Sequence, residues 1–97
     1  MNEKKIITLD LTNCKYLGEI HQRIKKAFDF PDFYGENWSA FWDWLKTECD
    51  ADGVEIIGEY TLSNEFDPHI RKMHEILQSN REEHAKYQHD FSIVIKS

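Results

Sequence analysis

Carboxylates and aromatic rings are concentrated in one segment of this chain. Residues 32–59 contain eight Asp or Glu residues against Lys46 alone, and they include all three tryptophans. Clustered carboxylates attract cationic groups and repel polyanions. Aromatic side chains beside a charge are typical of the residues that dominate binding at protein interfaces. This composition favours a binding surface for a basic partner, although charge alone would also fit a simply hydrated acidic surface.

Winding residues 37–50 as a helix, at about 100° per residue, separates two faces. The face predicted to pack on the core carries Trp38, Phe41, Trp42, Leu45 and Cys49. The opposite flank carries Ser39, Asp43, Lys46 and Asp50, with Glu36 just ahead of the first turn. Trp44 lies between these faces, and the loop Phe33-Tyr34-Gly35 precedes the helix. The sequence therefore predicts an acidic helix face bordered by aromatic side chains.

Residues that could support catalysis or metal binding do not form a recognised motif. His74-Glu75 begins like the zinc-protease helix motif, but the position that requires the second histidine holds Gln78. Two further pairs of histidines are five residues apart, which on a helix separates their side chains by about 140°. These pairs, which are not expected to chelate a metal from one face, are His69 with His74 and His84 with His89.

We therefore predict no catalytic residue, no metal site and no cofactor, with the histidines at the surface and Cys49 as a small core residue. If the chain were instead a small enzyme, His74, His84 and Cys14 would be its candidate residues. Zinc bound to the purified protein would favour that alternative.

The hydrophobic pattern predicts the elements that position the acidic face. Apolar, β-branched segments indicate strands at residues 5–11, 54–58 and 91–95. Helical periodicity indicates helices at about 16–28, 38–49 and 67–87, with a short helical turn around 63–66. Asn37 is a favourable N-cap for the second helix, and Asp67 is predicted to be the N-cap of the third, with Pro68 at its first helical position. Helical connections imply parallel strands, so the predicted class is α/β, a small three-stranded parallel sheet packed with three to four helices.

The last strand is almost wholly apolar, which predicts a buried or central position for it. The chain has 97 residues, a length that predicts a single domain over residues 1–97. Its apolar runs are too short to span a bilayer, and two cysteines do not make a disulfide framework. We expect a cytoplasmic protein. The net charge of −6 argues against nucleic-acid and membrane partners.

One motif resembles a known family. Tyr34-Gly35-Glu36-Asn37, followed by Ala40, Trp42-Asp43 and Leu45, resembles the signature of the barstar family, intracellular inhibitors of barnase-type ribonucleases. The amino-terminal strand, the segment 17–26, Pro31 and the apolar last strand follow in matching order. The resemblance implies an inhibitor, monomeric when free, whose helix and preceding loop block the active site of a ribonuclease.

The resemblance also implies roles for individual residues. Asp43 matches the main aspartate that stands where substrate phosphate would bind, Phe33 matches the loop aromatic residue, and Gly35 lies where the backbone approaches the enzyme. Glu82 or Glu83 matches an interface glutamate late in the last helix. The predicted partner-binding residues are Phe33, Tyr34, Gly35, Asn37, Ser39, Trp42, Asp43, Trp44 and Glu82.

Two positions depart from the family pattern. Ser39 replaces a second helix aspartate, and Phe33 replaces a tyrosine. The predicted function is inhibition, in the cytoplasm, of a secreted guanyl-type microbial ribonuclease that is basic and barnase-like but is not barnase itself. The alternative is a binding module of the same fold that recognises another basic protein or toxin.

Overall fold

The computed structural model describes residues 5–47 and 51–96, and within them the chain forms a three-stranded parallel sheet. The strands are β1 (Ile6–Asp10), β2 (Gly53–Ile57) and β3 (Ser92–Lys96), in the order β1-β2-β3. Ile7 pairs with Val54, and Val54 pairs with Ile93. The predicted α/β class and parallel sheet are confirmed.

The prediction of a buried, central β3 is wrong. The central strand is β2, where Val54 and Ile56 are fully buried, whereas β3 is an edge strand. Val94 and Ile95 of β3 are about half exposed. The β-branched residues of β3 indicate a preference for extended backbone, and they do not require the strand to be buried on both faces. The buried apolar anchor near this strand is Phe91, which immediately precedes it.

The described residues form three α-helices, α1 (Leu17–Phe28), α2 (Trp38–Thr47) and α3 (Asp67–Lys86); α1 packs against β1, α3 against β3, and α2 against α3. Two short 3₁₀ helices, Glu59–Thr61 and Asn64–Phe66, precede α3, and the second confirms the predicted turn. Asp67 is the first residue of α3 rather than its cap, because Phe66 occupies the cap position. No helix in the described ranges is long and apolar enough to cross a membrane.

Helix α2 begins where the sequence predicts. The Asn37 Oδ1 atom accepts a hydrogen bond from the backbone N–H of Ala40 at 2.8 Å, which satisfies one of the free donors of the first turn. Phe41 and Leu45 are buried in the core. The described helix ends at Thr47, and the predicted continuation through Cys49 and Asp50 lies outside the described residues.

Candidate functional site

An exposed face of α2 carries the charged residues of the site. Ser39, Asp43 and Lys46 are exposed, while Phe41 and Leu45 on the other side are buried, as the helical periodicity predicts. The Asp43 side chain is 73% exposed, and its Oδ1 lies 3.8 Å from the Lys46 Nζ atom. Lys46 also lies over the ring of Trp42, 5.1 Å from its centroid. The helix therefore presents one carboxylate held loosely by one lysine.

An exposed aromatic residue from the preceding loop lies beside this face. Phe33 is 76% exposed, and its ring centroid lies 5.5 Å from that of Trp44. Trp44 is partly buried and packs against Phe30 on its inner side. Phe33 is thus supported from below by a second ring, so it can offer apolar area to a partner with little loss of conformational freedom.

Tyr34 does not belong to the exposed surface that the sequence predicts for it. Its side chain is only 4% exposed, and its hydroxyl shares a hydrogen bond of 2.9 Å with the Nδ1 atom of His21. Burial raises the pKa of the Tyr34 hydroxyl. The side chain anchors the loop from inside, and its neighbours Phe33 and Gly35 are the exposed residues there.

His21 is buried rather than at the surface. It is 1% exposed, and its ring packs against Trp38 at a centroid distance of 4.4 Å. Burial lowers the pKa of the His21 imidazole, which therefore favours the neutral form. A signal for this position was present in the sequence, because His21 lies on the same helical stripe as Leu17 and Ile24. It joins α1 to the site loop and to the start of α2.

Gly35 and Asn37 shape the turn into α2. The Asn37 amide donates a hydrogen bond to the Gly35 carbonyl at 3.1 Å. A Cβ atom at Gly35 would approach the Asn37 amide to 3.1 Å and the Ala40 Cβ to 3.4 Å. Gly35 is exposed, so the absence of a side chain keeps this backbone open to a partner. The Asn37 side chain therefore stabilises the turn through its amide group and caps the helix through its Oδ1 atom.

The two candidate interface glutamates of α3, Glu82 and Glu83, are placed differently. Glu82 is exposed, whereas Glu83 is partly buried, forms an ion pair with Lys86 at 3.4 Å and lines a pocket shared with Lys46. Glu82 is not among the residues that line this pocket. Glu83, and not Glu82, therefore shares a pocket with Lys46 of α2.

The histidine pair at the end of α3 is closer than a helix would allow. The Nδ1 atoms of His84 and His89 lie 2.7 Å apart, because His89 follows the end of the helix. The Nε2 atom of His89 donates to Asp52 at 2.9 Å. The expectation that the two side chains point about 140° apart is therefore wrong for this pair, because it assumed that both residues lie on one helix. Even so, no group of three or more His, Cys, Asp or Glu residues within 5–47 and 51–96 is arranged to hold a metal ion.

The other candidate residues for catalysis have structural contacts. His74 Nε2 lies 2.6 Å from Glu59 Oε2 and links α3 to the first 3₁₀ helix. Cys14 is buried, and this burial raises the pKa of its thiol, which disfavours the reactive thiolate.

Comparison with known proteins assigns this arrangement to a family. The family described as Barstar (barnase inhibitor) matches residues 4–96. This chain belongs to the barstar family. It is also 30% identical, over 94 residues, to the "Putative ribonuclease inhibitor YrdF" of Bacillus subtilis (strain 168). That alignment covers 96% of this chain and 99% of the relative.

The barstar resemblance of the segment 34–45 is therefore confirmed over nearly the whole chain. The barstar family is a family of inhibitors and not of enzymes, and this membership excludes the alternative that the chain is a small enzyme. Within the barstar fold described here, α2 and the loop before it expose Asp43, Lys46 and Phe33, and α1 supports that loop through His21.

Proposed function

We propose that this protein inhibits a secreted, basic, guanyl-type ribonuclease by inserting the exposed face of α2 and the loop before it into the active site. The observation that carries the proposal is the 73% exposure of the Asp43 side chain on a helix whose opposite side is buried in the core. Because the core anchors the helix, the Asp43 carboxylate is already held at the surface, where it can pair with cations of the partner.

The target's chemistry explains why a carboxylate is effective. An enzyme that holds polyanionic RNA surrounds its site with Arg, Lys or His side chains. Asp43 would occupy the place of a substrate phosphate and accept charge-assisted hydrogen bonds from these groups. The Asn37 cap and the packing of Phe41 hold α2 in place, so little ordering is required on binding.

Apolar contacts complement this charge. Phe33, supported by Trp44, presents an exposed ring beside Asp43's helix, and the bare backbone at Gly35 allows close approach. Trp42 is partly buried and supports Lys46 from below. This combination of a central charge and aromatic anchors is the usual composition of a strong binding site.

The target differs from barnase in this proposal. Ser39 is exposed on α2 where the family carries a second aspartate, so one negative charge is missing from the face. Lys46 adds a positive charge 3.8 Å from Asp43. Phe33 lacks a hydroxyl group. A ribonuclease with a less cationic or differently shaped active site fits this face better.

The surrounding charge favours rapid association. Residues 32–59 carry eight acidic residues against one lysine, a field that attracts a basic nuclease. The barnase–barstar pair is itself the standard case of such steering, so this part of the proposal is carried over from the family. An inhibitor of this kind acts in the cytoplasm, where it neutralises the nuclease before secretion.

The experiment is a titration of RNA cleavage by a panel of small microbial ribonucleases, barnase included, with wild-type protein and with Asp43→Ala. We expect stoichiometric inhibition of at least one enzyme. Asp43→Ala should weaken that binding by about 2–5 kcal/mol, because it removes one partner of a charge pair that becomes buried in the complex. The exposed position predicts that the free energy of unfolding changes by less than about 0.5 kcal/mol.

Glu65→Ala is the matched control. It removes the same charge from an exposed acid in the 3₁₀ turn before α3, outside the candidate site. Its affinity should remain close to that of the wild type. If Asp43→Ala binds as tightly as the control, Asp43 is not at the interface. Failure to inhibit any nuclease would favour the alternative, a barstar-fold module that binds another basic protein or toxin.

A further inference from the structure

The pocket that Glu83 shares with Lys46 adjoins the exposed face of α2. It encloses about 350 Å³ between the end of α2 and the last turns of α3. Its lining residues are Lys46, Asn80, Glu83, His84, Tyr87 and His89. Lys46 belongs both to this pocket and to the ion pair with Asp43, so the pocket is continuous with the proposed inhibitory surface.

Asn80 is the unusual residue of this pocket. Its side chain is 1% exposed, yet neither its Oδ1 nor its Nδ2 atom has a hydrogen-bond partner in the part of the chain that the structure describes. The preceding buried residues of α3, Met73, Ile76 and Leu77, are apolar. Burying an amide without partners destabilises a fold, and native proteins rarely do so without a reason.

We propose that this pocket binds the main chain of one extended residue on a loop of the target ribonuclease, with Asn80 as the residue that recognises it. The inference rests on the proposed function and extends it to a second contact. The Asn80 Oδ1 atom accepts from the N–H of that extended residue, and the Nδ2 group donates to its C=O. In an extended segment the N–H and C=O of one residue point to the same side, so one carboxamide can bond to both, whereas the N–H and C=O of a single trans peptide group point in opposite directions.

The charges of the pocket support a neutral, dipolar occupant. Lys46 and Glu83 have opposite charges, so together they give the pocket no net preference for an anion or for a cation. The Nδ1 atoms of His84 and His89 are already engaged with each other at 2.7 Å. Asn80 is buried while Lys46 and Tyr87 of the same pocket are exposed, so admitting the loop requires these side chains to change rotamer, as interface side chains commonly do.

The test compares wild type with Asn80→Leu against the ribonuclease that the panel shows to be inhibited. Leucine has a similar size and removes both polar atoms. We expect affinity to fall roughly ten- to a hundredfold, mainly through faster dissociation, because the bound main chain loses two hydrogen bonds. We expect Tm of the free protein to rise by about 4 °C or more, because a buried polar group without a partner is gone.

Two further variants complete the test. Gln78→Leu makes the same change at an exposed position of α3 outside the pocket lining and should alter neither affinity nor Tm. Asn80→Ser removes the amide without filling the space, and it should also weaken binding if Asn80→Leu does not fold. Unchanged affinity in Asn80→Leu, or in Asn80→Ser where the leucine variant is unfolded, overturns the inference.

The two proposals fail in different ways. If Asp43→Ala loses inhibition while the Asn80 variants keep full affinity, the inhibitor function stands and the peptide-binding pocket is rejected. If the wild-type protein inhibits no ribonuclease, both proposals are rejected together.

Discussion

At the scale of single residues, the ion pair between Lys46 and Asp43 controls how much of the acidic face a partner can use. The 3.8 Å separation and the exposure of both side chains make this a weak pair, easily exchanged for a cation on the nuclease. Lys46 nevertheless reduces the negative potential at the one carboxylate on which the proposed inhibition depends. It offsets the attraction that Asp43 provides.

Replacing this lysine should therefore improve binding. Lys46→Gln is expected to increase the association rate constant by about two- to fivefold, because the field around Asp43 becomes more negative. Stopped-flow association with the inhibited ribonuclease measures it. Lys15→Gln, which changes the net charge equally at an exposed residue before α1, is the control. Slower association in Lys46→Gln alone would mean that Lys46 itself contacts an acidic group on the target.

At the scale of elements, the site loop is held by a buried hydrogen bond rather than by its own backbone alone. The bond of 2.9 Å between Tyr34 and His21 ties the loop to α1, and the packing of His21 on Trp38 ties both to α2. Three elements therefore meet beneath the exposed surface. The position of Phe33 and Asp43 relative to each other depends on this junction.

Removing the Tyr34 hydroxyl tests this junction. Tyr34→Phe should lower the free energy of unfolding by about 1–3 kcal/mol, because the buried Nδ1 atom of His21 loses its partner. Urea denaturation measures the change, with the exposed Tyr60→Phe as a control that should be neutral. Once folded, Tyr34→Phe should still inhibit stoichiometrically. Lost affinity with unchanged stability would mean that Tyr34 contacts the partner, as the sequence pattern suggested.

The elements also show why sequence reasoning succeeded or failed. Helix α2 was predictable because the Asn37 cap and the spacing of Phe41 and Leu45 are local signals. Tyr34 was misplaced because a loop has no periodicity, so nothing local says which of two adjacent aromatic residues turns inward. His89 was misjudged because helix spacing was applied beyond the end of α3. The edge position of β3 depends on strand order, which a single strand does not encode.

At the scale of the whole molecule, charge is distributed unevenly along the chain. Residues 1–26 contain six basic residues against three acidic ones, whereas residues 32–59 are strongly acidic. An asymmetric distribution orients an approaching basic protein as well as attracting it. Such long-range effects weaken as ionic strength rises.

Salt should therefore slow association. The association rate constant with the inhibited ribonuclease is expected to fall several-fold between about 50 and 500 mM salt, while the dissociation rate changes much less. Stopped-flow measurements at several salt concentrations test this. A rate constant that is independent of salt would exclude electrostatic steering by the acidic segment.

The two sides of helix α2 have different roles: one packs on the core, and the other is exposed to a partner. The residues that hold the helix to the core, Phe41 and Leu45, are separate from the exposed Ser39, Asp43 and Lys46. Substitutions on the exposed side change what the molecule recognises while costing the fold little. An inhibitor lineage built in this way can follow a diverging ribonuclease through successive single substitutions. We expect such coevolution to appear as substitutions at exposed positions such as Ser39 and Lys46.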